Sequence, residues 1–199
     1  RLLSVIRNAA VLIPDGGGAV LAARLGGLRG VSRVTGADLM PELCGLAAHR
    51  GYPVFLFGAR PGVAELAARA LRERYPKLIV AGCRDGYVAR DEQDALIDQI
   101  NASGAKLLFV ALGSPQQEFW INDNLGRLTG IAVCQGVGGT FDVLAGRVRR
   151  APLAWRKAYM EWLYRVVREP SRVRRLPRLL GFAWRVWREG VQLTTVRPG

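Results

Sequence analysis

The sequence predicts an α/β protein: a Rossmann-like, mostly parallel sheet flanked by helices, with a basic, aromatic C-terminal helical appendage. Three observations lead there. Apolar runs rich in β-branched and aromatic residues alternate with segments of helical periodicity through the first three-quarters of the chain. Those runs lack the strict polar alternation of a half-exposed strand, which suits a parallel sheet covered on both faces. Past Arg150 the composition changes, and arginine and tryptophan dominate.

In chain order, strands are expected at 10–13, 54–57, 78–81, 107–111 and 131–134. Helices are expected at 39–50, 63–75, 92–102 and 116–125, so that strand and helix repeat as in a doubly wound sheet. Asp38 is placed to cap the first of these helices. In such a sheet the ligand site lies beyond the carboxyl ends of the strands, and unusual sequence collects there. The run 10–13 leads into Pro14-Asp15-Gly16-Gly17-Gly18, and 54–57 into Gly58-Ala59-Arg60-Pro61-Gly62. The run 107–111 leads into Leu112-Gly113-Ser114-Pro115-Gln116-Gln117-Glu118, and 131–134 into Gln135-Gly136-Val137-Gly138-Gly139-Thr140. Glycines such as Gly136, Gly138 and Gly139 permit close backbone approach, and successive amides near a helix start can cradle phosphate. One such loop is ordinary turn geometry, whereas four at one sheet edge favour a nucleotide or sugar-phosphate site. No Walker A loop occurs, and no complete GxGxxG fingerprint.

Beyond Pro152, the residues Trp155, Tyr159, Trp162, Leu163 and Val166 share one helical face. Leu176, Leu180, Ala183, Trp184 and Trp187 share another, with Pro177 delaying or kinking its start. Four of the five tryptophans lie here. Charge is equally uneven. Residues 1–146 carry 15 basic and 13 acidic side chains, and residues 147–199 carry 14 basic and 3 acidic, +2 against +11. A polyanionic partner is implied: nucleic acid, a phosphate-bearing ligand or an anionic membrane. Indole and guanidinium on short amphipathic helices suit a membrane interface, while tryptophans packed onto the α/β domain with arginines in water is the plain alternative. Domain organisation is thus read as 1–150, the α/β core, and 151–199, the appendage.

Several chemistries are disfavoured. Three widely spaced cysteines, Cys44, Cys83 and Cys134, make neither a disulfide framework nor a thiolate zinc site. His49 is the only histidine and lies at a helix end, so histidine-dependent hydrolysis is a poor fit. There is no HExxH and no DxD carboxylate cluster, and no metal is expected. Asp15 either makes a Pro-Asp-Gly turn or turns its carboxylate to a substrate crossing the sheet edge. Arg33 either pairs with an acid or holds phosphate. Gln116 and Gln117 open a helix where an amide could orient hydroxyls or simply be solvated. Asp142 could stabilise the adjacent glycine turn, bind a sugar, or do both.

Taken in order, seven blocks resemble the WecG/TagA/CpsF family of bacterial glycosyltransferases. They are Ile13-Pro14-Asp15-Gly16, Arg33-Val34-Thr35-Gly36-Ala37-Asp38-Leu39, Phe57-Gly58-Ala59-Arg60-Pro61-Gly62-Val63-Ala64 and Ala111-Leu112-Gly113-Ser114-Pro115-Gln116-Gln117-Glu118. They continue with Gly136-Val137-Gly138-Gly139-Thr140-Phe141-Asp142, Arg150-Ala151-Pro152, and Glu161-Trp162-Leu163-Tyr164-Arg165 with Glu169-Pro170-Ser171-Arg172 following. The resemblance implies transfer of N-acetylmannosamine, a related uronic acid or glucose from a UDP-sugar, which is a substrate rather than a cofactor. The implied acceptor is a sugar on undecaprenyl pyrophosphate, and in the wall-teichoic-acid branch, the nearest, the linkage is β-1,4 to N-acetylglucosamine. Asp15 matches the proposed general base, and Arg33 and Gln117 match residues that hold donor or acceptor. The glycines Gly136, Gly138 and Gly139 with Asp142 fall in the substrate-binding motif. Arg165, Arg172 and Arg175 match appendage arginines facing a pyrophosphate. The family's usual Pro-Lys-Gln-Glu is here Pro115-Gln116-Gln117-Glu118, one cation fewer. The resemblance also implies a peripheral protein on the cytoplasmic face of the bacterial plasma membrane, recruited by C-terminal helices to an anionic surface, with self-association left open. Family members carry a Thr-x-Asn segment upstream of the point where this chain starts, so a missing upstream part is expected. Two rivals remain: a non-catalytic nucleotide-binding scaffold, and a nucleic-acid module. The second is not favoured, because no nucleic-acid motif accompanies the arginines.

Overall fold

The computed structural model describes residues 1–28 and 30–152, together with Ala154, Trp155, Leu163, Tyr164, Val166, Gly181, Trp184, Val186 and Arg188. In chain order the elements are α1 (Leu2–Arg7), α2 (Gly17–Leu25), α3 (Gly36–Arg50), β1 (Val54–Gly58), α4 (Val63–Arg74), β2 (Val80–Arg84), α5 (Gln93–Ala102), β3 (Leu107–Ala111), α6 (Gln116–Asn124), a 3-10 turn (Leu125–Arg127), β4 (Val133–Gly136) and α7 (Thr140–Leu144). The chain groups into two compact units. One comprises Arg1–Ala10 with Gly36–Arg149, and the other Val11–Thr35 with Arg150–Gly199.

The first unit is a four-stranded sheet of order β2-β1-β3-β4, parallel throughout. Sheet and helices together give the Rossmann-like α/β core that the strand–helix alternation predicts. The central strands β1 and β3 are buried along their whole length, which is why they read as unbroken apolar runs. Successive side chains point to opposite faces, and two cores result. Val54, Leu56, Leu107, Phe109 and Ala111 pack with Met40 and Cys44 of α3, with α4 and with Phe141 of α7. Phe55, Phe57, Leu108 and Val110 pack with Leu96, Ile97 and Ile100 of α5 and meet Trp120 and Ile121 of α6. Helix α4 shows the cause at sequence level. Its buried residues Val63, Ala64, Ala67, Ala68 and Leu71 recur at helical spacing, while Arg72 and Arg74 occupy the last turn. Truncating fully buried Leu71 to alanine would cost about 2–5 kcal/mol. Gly82 on β2 is a packing requirement, since a Cβ there would stand 2.4 Å from the Phe55 ring.

Two strands begin later than expected. Strand β2 starts at Val80, because Leu78 donates its N–H to Tyr75 O (2.9 Å) in a turn. Strand β4 starts at Val133. The run 10–13 forms no strand at all. It belongs to the second unit from Val11 onward, Val11 and Leu12 are exposed, and Pro14 O accepts from Val34 N–H at 3.3 Å instead of joining a ladder.

In the second unit, α2 ends in a Schellman turn. Gly27 (φ 91°) donates to Arg24 O at 3.0 Å and Leu28 to Ala23 O at 3.0 Å, the left-handed position being filled by glycine. Arg24 then folds back, its Nε and Nη2 donating to Val31 O at 3.3 and 3.0 Å. The expected C-terminal helices lie mostly outside the described residues. Those described are helical, with Trp155 and Tyr164 edge to face at 5.8 Å and the Arg188 guanidinium 4.8 Å from the Trp184 ring centroid.

Candidate functional site

Strand order 2-1-3-4 reverses direction between β1 and β3, and the loops leaving those strands diverge there to leave a crevice. Glycine makes the crevice possible. Gly58, at φ 122°, has Ala111 backbone within 2.6 Å of where a Cβ would stand, so β1 and β3 converge on it. Ala59 adopts φ 62°, its N–H donates to Ala111 O (2.8 Å), and its O accepts from Gly86 N–H (2.9 Å). Beyond β3 the chain turns through Gly113 (φ 78°) and a cis Ser114–Pro115 peptide into α6.

Above these loops lies a cleft of about 490 Å³. Phe57, Tyr87 and Trp120 give it aromatic surface, and Arg60, Gln116 and Asp142 supply polar groups. Trp120 is fixed from two sides, by the Phe57 ring at 4.8 Å and by donation from Nε1 to Gln93 Oε1 at 2.9 Å. Asp142 Oδ1 is buried and has no hydrogen-bond partner among the described residues, so it keeps acceptor capacity for a hydroxyl. Aromatic faces with one cation, one carboxylate and an amide fit a flat ring carrying hydroxyls and phosphate.

Of the residues singled out from sequence, Asp142 lines this cleft. Gln117 does not. It is 6% exposed, its Oε1 accepts from Gly138 N–H (2.9 Å) and its Nε2 donates to Glu118 Oε1 (3.0 Å). Gly136 exists to admit it, because a Cβ at that position would be 2.7 Å from Gln117 Nε2. Its exposed neighbour Gln116 reaches the cleft instead. Gly138 (φ 53°) and Gly139 complete the loop into α7.

Asp15 and Arg33 belong to the second unit and meet across 18 residues. Arg33 Nε donates to Asp15 O at 2.6 Å, and Arg33 Nη2 lies 3.8 Å from Asp15 Oδ1. The arginine side chain is 14% exposed and the aspartate 64%, so a sheltered cation tethers an accessible carboxylate. In the same unit Arg150 Nη2 donates to Thr35 Oγ1 at 3.1 Å. Arg165, Arg172 and Arg175 lie outside the described residues.

Sequence reasoning passed over Tyr87, Gln93 and Trp120. Ending the expected 78–81 strand at 81 rather than 84 hid the loop that carries Tyr87, and Trp120 reads as an ordinary helix residue until its partners are known. Other chemistry is disfavoured by environment. Burial pushes the Cys44 and Cys134 thiols up to about 12, and burial with the Glu65 carboxylate pushes Cys83 up to about 11. All three are therefore protonated at neutral pH and unsuited to nucleophilic attack. His49 sits exposed in the last turn of α3. Among the described residues no group of His, Cys, Asp or Glu is placed to hold a metal ion, and no helix is long and apolar enough to cross a membrane.

A doubly wound parallel sheet with a polar and aromatic cleft at its switch point defines an α/β scaffold for handling a nucleotide-like ligand. The glycosyl transferase WecG/TagA/CpsF family matches residues 1–195, and the chain belongs to that family. It is by that membership a glycosyltransferase.

Proposed function

We propose that the protein transfers N-acetylmannosamine from UDP-N-acetylmannosamine to N-acetylglucosaminyl-pyrophosphoryl undecaprenol, with inversion and a β-1,4 product, in the synthesis of a cell-wall polymer. The reaction takes place at the cytoplasmic face of the bacterial plasma membrane, to which the protein binds peripherally through its C-terminal segment, 151–199. The observation that carries the reading is the 490 Å³ cleft at the β1/β3 switch point in a chain that a glycosyltransferase family matches over residues 1–195. A uracil would stack on Tyr87 or Trp120, and ribose hydroxyls would donate to Asp142. Arg60 would meet phosphate charge there, and by the family resemblance Arg165, Arg172 and Arg175 would face a pyrophosphate.

The reaction is a single displacement. Asp15 accepts the proton of the acceptor sugar's hydroxyl as that oxygen bonds to the donor's anomeric carbon. The anomeric C–O bond to UDP breaks, and its electron pair leaves with UDP. A positioned carboxylate serves as a general base in this role. Cations then stabilise the charge that develops on the departing diphosphate. Arg33 supports Asp15 as the base, because its guanidinium fixes the main chain at Asp15 and stands 3.8 Å from the carboxylate.

Transfer from UDP-N-acetylmannosamine, UDP-N-acetylmannosaminuronate and UDP-glucose onto the same short-chain lipid acceptor tests the assignment. Product from the first donor alone, or fastest with it, is expected. Exclusive use of glucose or of the uronate would overturn the donor, and binding of UDP-sugar without turnover would favour a scaffold.

A further inference from the structure

Helix α2 is apolar on nearly every side, its sequence GGAVLAARL carrying Arg24 as its one charge. An all-apolar helix is normally enclosed. Here Val20 and Ala22 are buried, but Leu21 is 60% and Leu25 70% exposed. Leu21 and Leu25 are four residues apart and share a face. The Schellman turn wraps half-exposed Leu28 back against the same helix end, and Arg24 is drawn off towards Val31 O. Leu21, Leu25 and Leu28 are thus exposed where burial would be expected.

Charge says what they face. The unit that contains α2, residues 11–35 with 150–199, holds 15 Lys and Arg against 4 Asp and Glu, a balance of +11. The other unit holds 14 against 12, a balance of +2. A second copy of this chain would bring one +11 unit against another, which like charge opposes. An anionic bilayer meets both features, accepting leucine among acyl chains and attracting cations to its headgroups. Exposed Trp184, in the same unit, adds an indole suited to that boundary.

We propose that the Leu21 and Leu25 face of α2 inserts into the acyl–headgroup boundary of an anionic membrane. It supplies a salt-insensitive component of attachment, separate from the basic C-terminal segment. The proposal rests on the membrane-bound acceptor of the proposed function only for its purpose, since vesicle binding is measured with no sugar present.

Co-sedimentation of the full chain with phosphatidylglycerol–phosphatidylcholine vesicles in high salt isolates the apolar component, because screening suppresses the charge term. Leu21→Gln/Leu25→Gln should lower partitioning about tenfold or more there, as expected for withdrawing two leucines from an apolar phase. Its circular dichroism should match the parent, because both side chains are already exposed. As a second readout, an environment-sensitive fluorophore on Leu25→Cys, in a chain whose partly exposed Cys83 and Cys134 are replaced by alanine, should shift to the blue with vesicles. Unchanged partitioning with an unshifted fluorophore overturns the proposal. So does loss of a dimer in the double variant with vesicle binding intact, which would make a second copy the occupant. Turnover on a short-chain, water-soluble acceptor should be unaffected, so failure of the sugar-transfer reading is seen separately.

Discussion

A carboxylate that accepts a proton at a chosen atom has to be held still while staying open to its substrate. In the proposed mechanism Arg33 does the holding for Asp15: Nε binds the main-chain oxygen at 2.6 Å while Nη2 stands 3.8 Å from the carboxylate. Asp15→Asn keeps shape and tether but removes the basic oxygen, so kcat should fall by about 10²–10⁴ with KM for the donor little changed. Arg33→Lys cannot reproduce a two-nitrogen grip and should lose kcat less severely. Steady-state transfer assays read both, and near-normal turnover in Asp15→Asn would remove it as the base. Both residues stood out in the sequence by motif. Their mutual contact did not, because Pro-Asp-Gly is equally good turn chemistry and nothing local links positions 18 apart.

At the scale of elements, the loops at the sheet edge depend on one another through Gln117. It leaves α6, enters the space above Gly136 and accepts the Gly138 N–H, joining the β3–α6 loop to the β4–α7 loop. Gln117→Ala leaves that amide unpaired and opens a void, a loss of about 1–3 kcal/mol. Gln116→Ala, on the exposed side facing the cleft, should leave stability alone and raise the donor KM. Urea unfolding with kinetics separates the two, and an unshifted midpoint for Gln117→Ala would argue against the brace. The central strands, and the helices from α3 to α6, were legible because β1 and β3 are buried on both faces and α4 carries a clean apolar stripe. The run 10–13 misled for a physical reason. Val11 and Leu12 are exposed and the run pairs with no strand, so hydrophobicity there marks a surface rather than a core. Helix α2 was missed because three successive glycines disguise its start.

The whole molecule carries +13 at neutral pH, and nearly all of it sits on the unit formed by residues 11–35 and 150–199. A charge concentrated in this way acts as a directed attraction, drawing that unit first towards any polyanionic surface. Each cation close to an anionic leaflet contributes about 1 kcal/mol, so a handful would suffice for the proposed membrane attachment. The attraction reaches about one Debye length, ~10 Å at 0.1 M salt and ~3 Å at 1 M. Binding of the full chain to anionic vesicles should therefore weaken steeply as salt rises across that range, then level off at the residue left to the apolar stripe of α2. Neutral phosphatidylcholine vesicles should show only that weak residue at every salt concentration. Co-sedimentation at graded salt measures both curves. Anionic-vesicle binding that ignores salt would mean the +11 unit takes no part in attachment. Tight binding to RNA that outcompetes vesicles at physiological salt would redirect those arginines to nucleic acid.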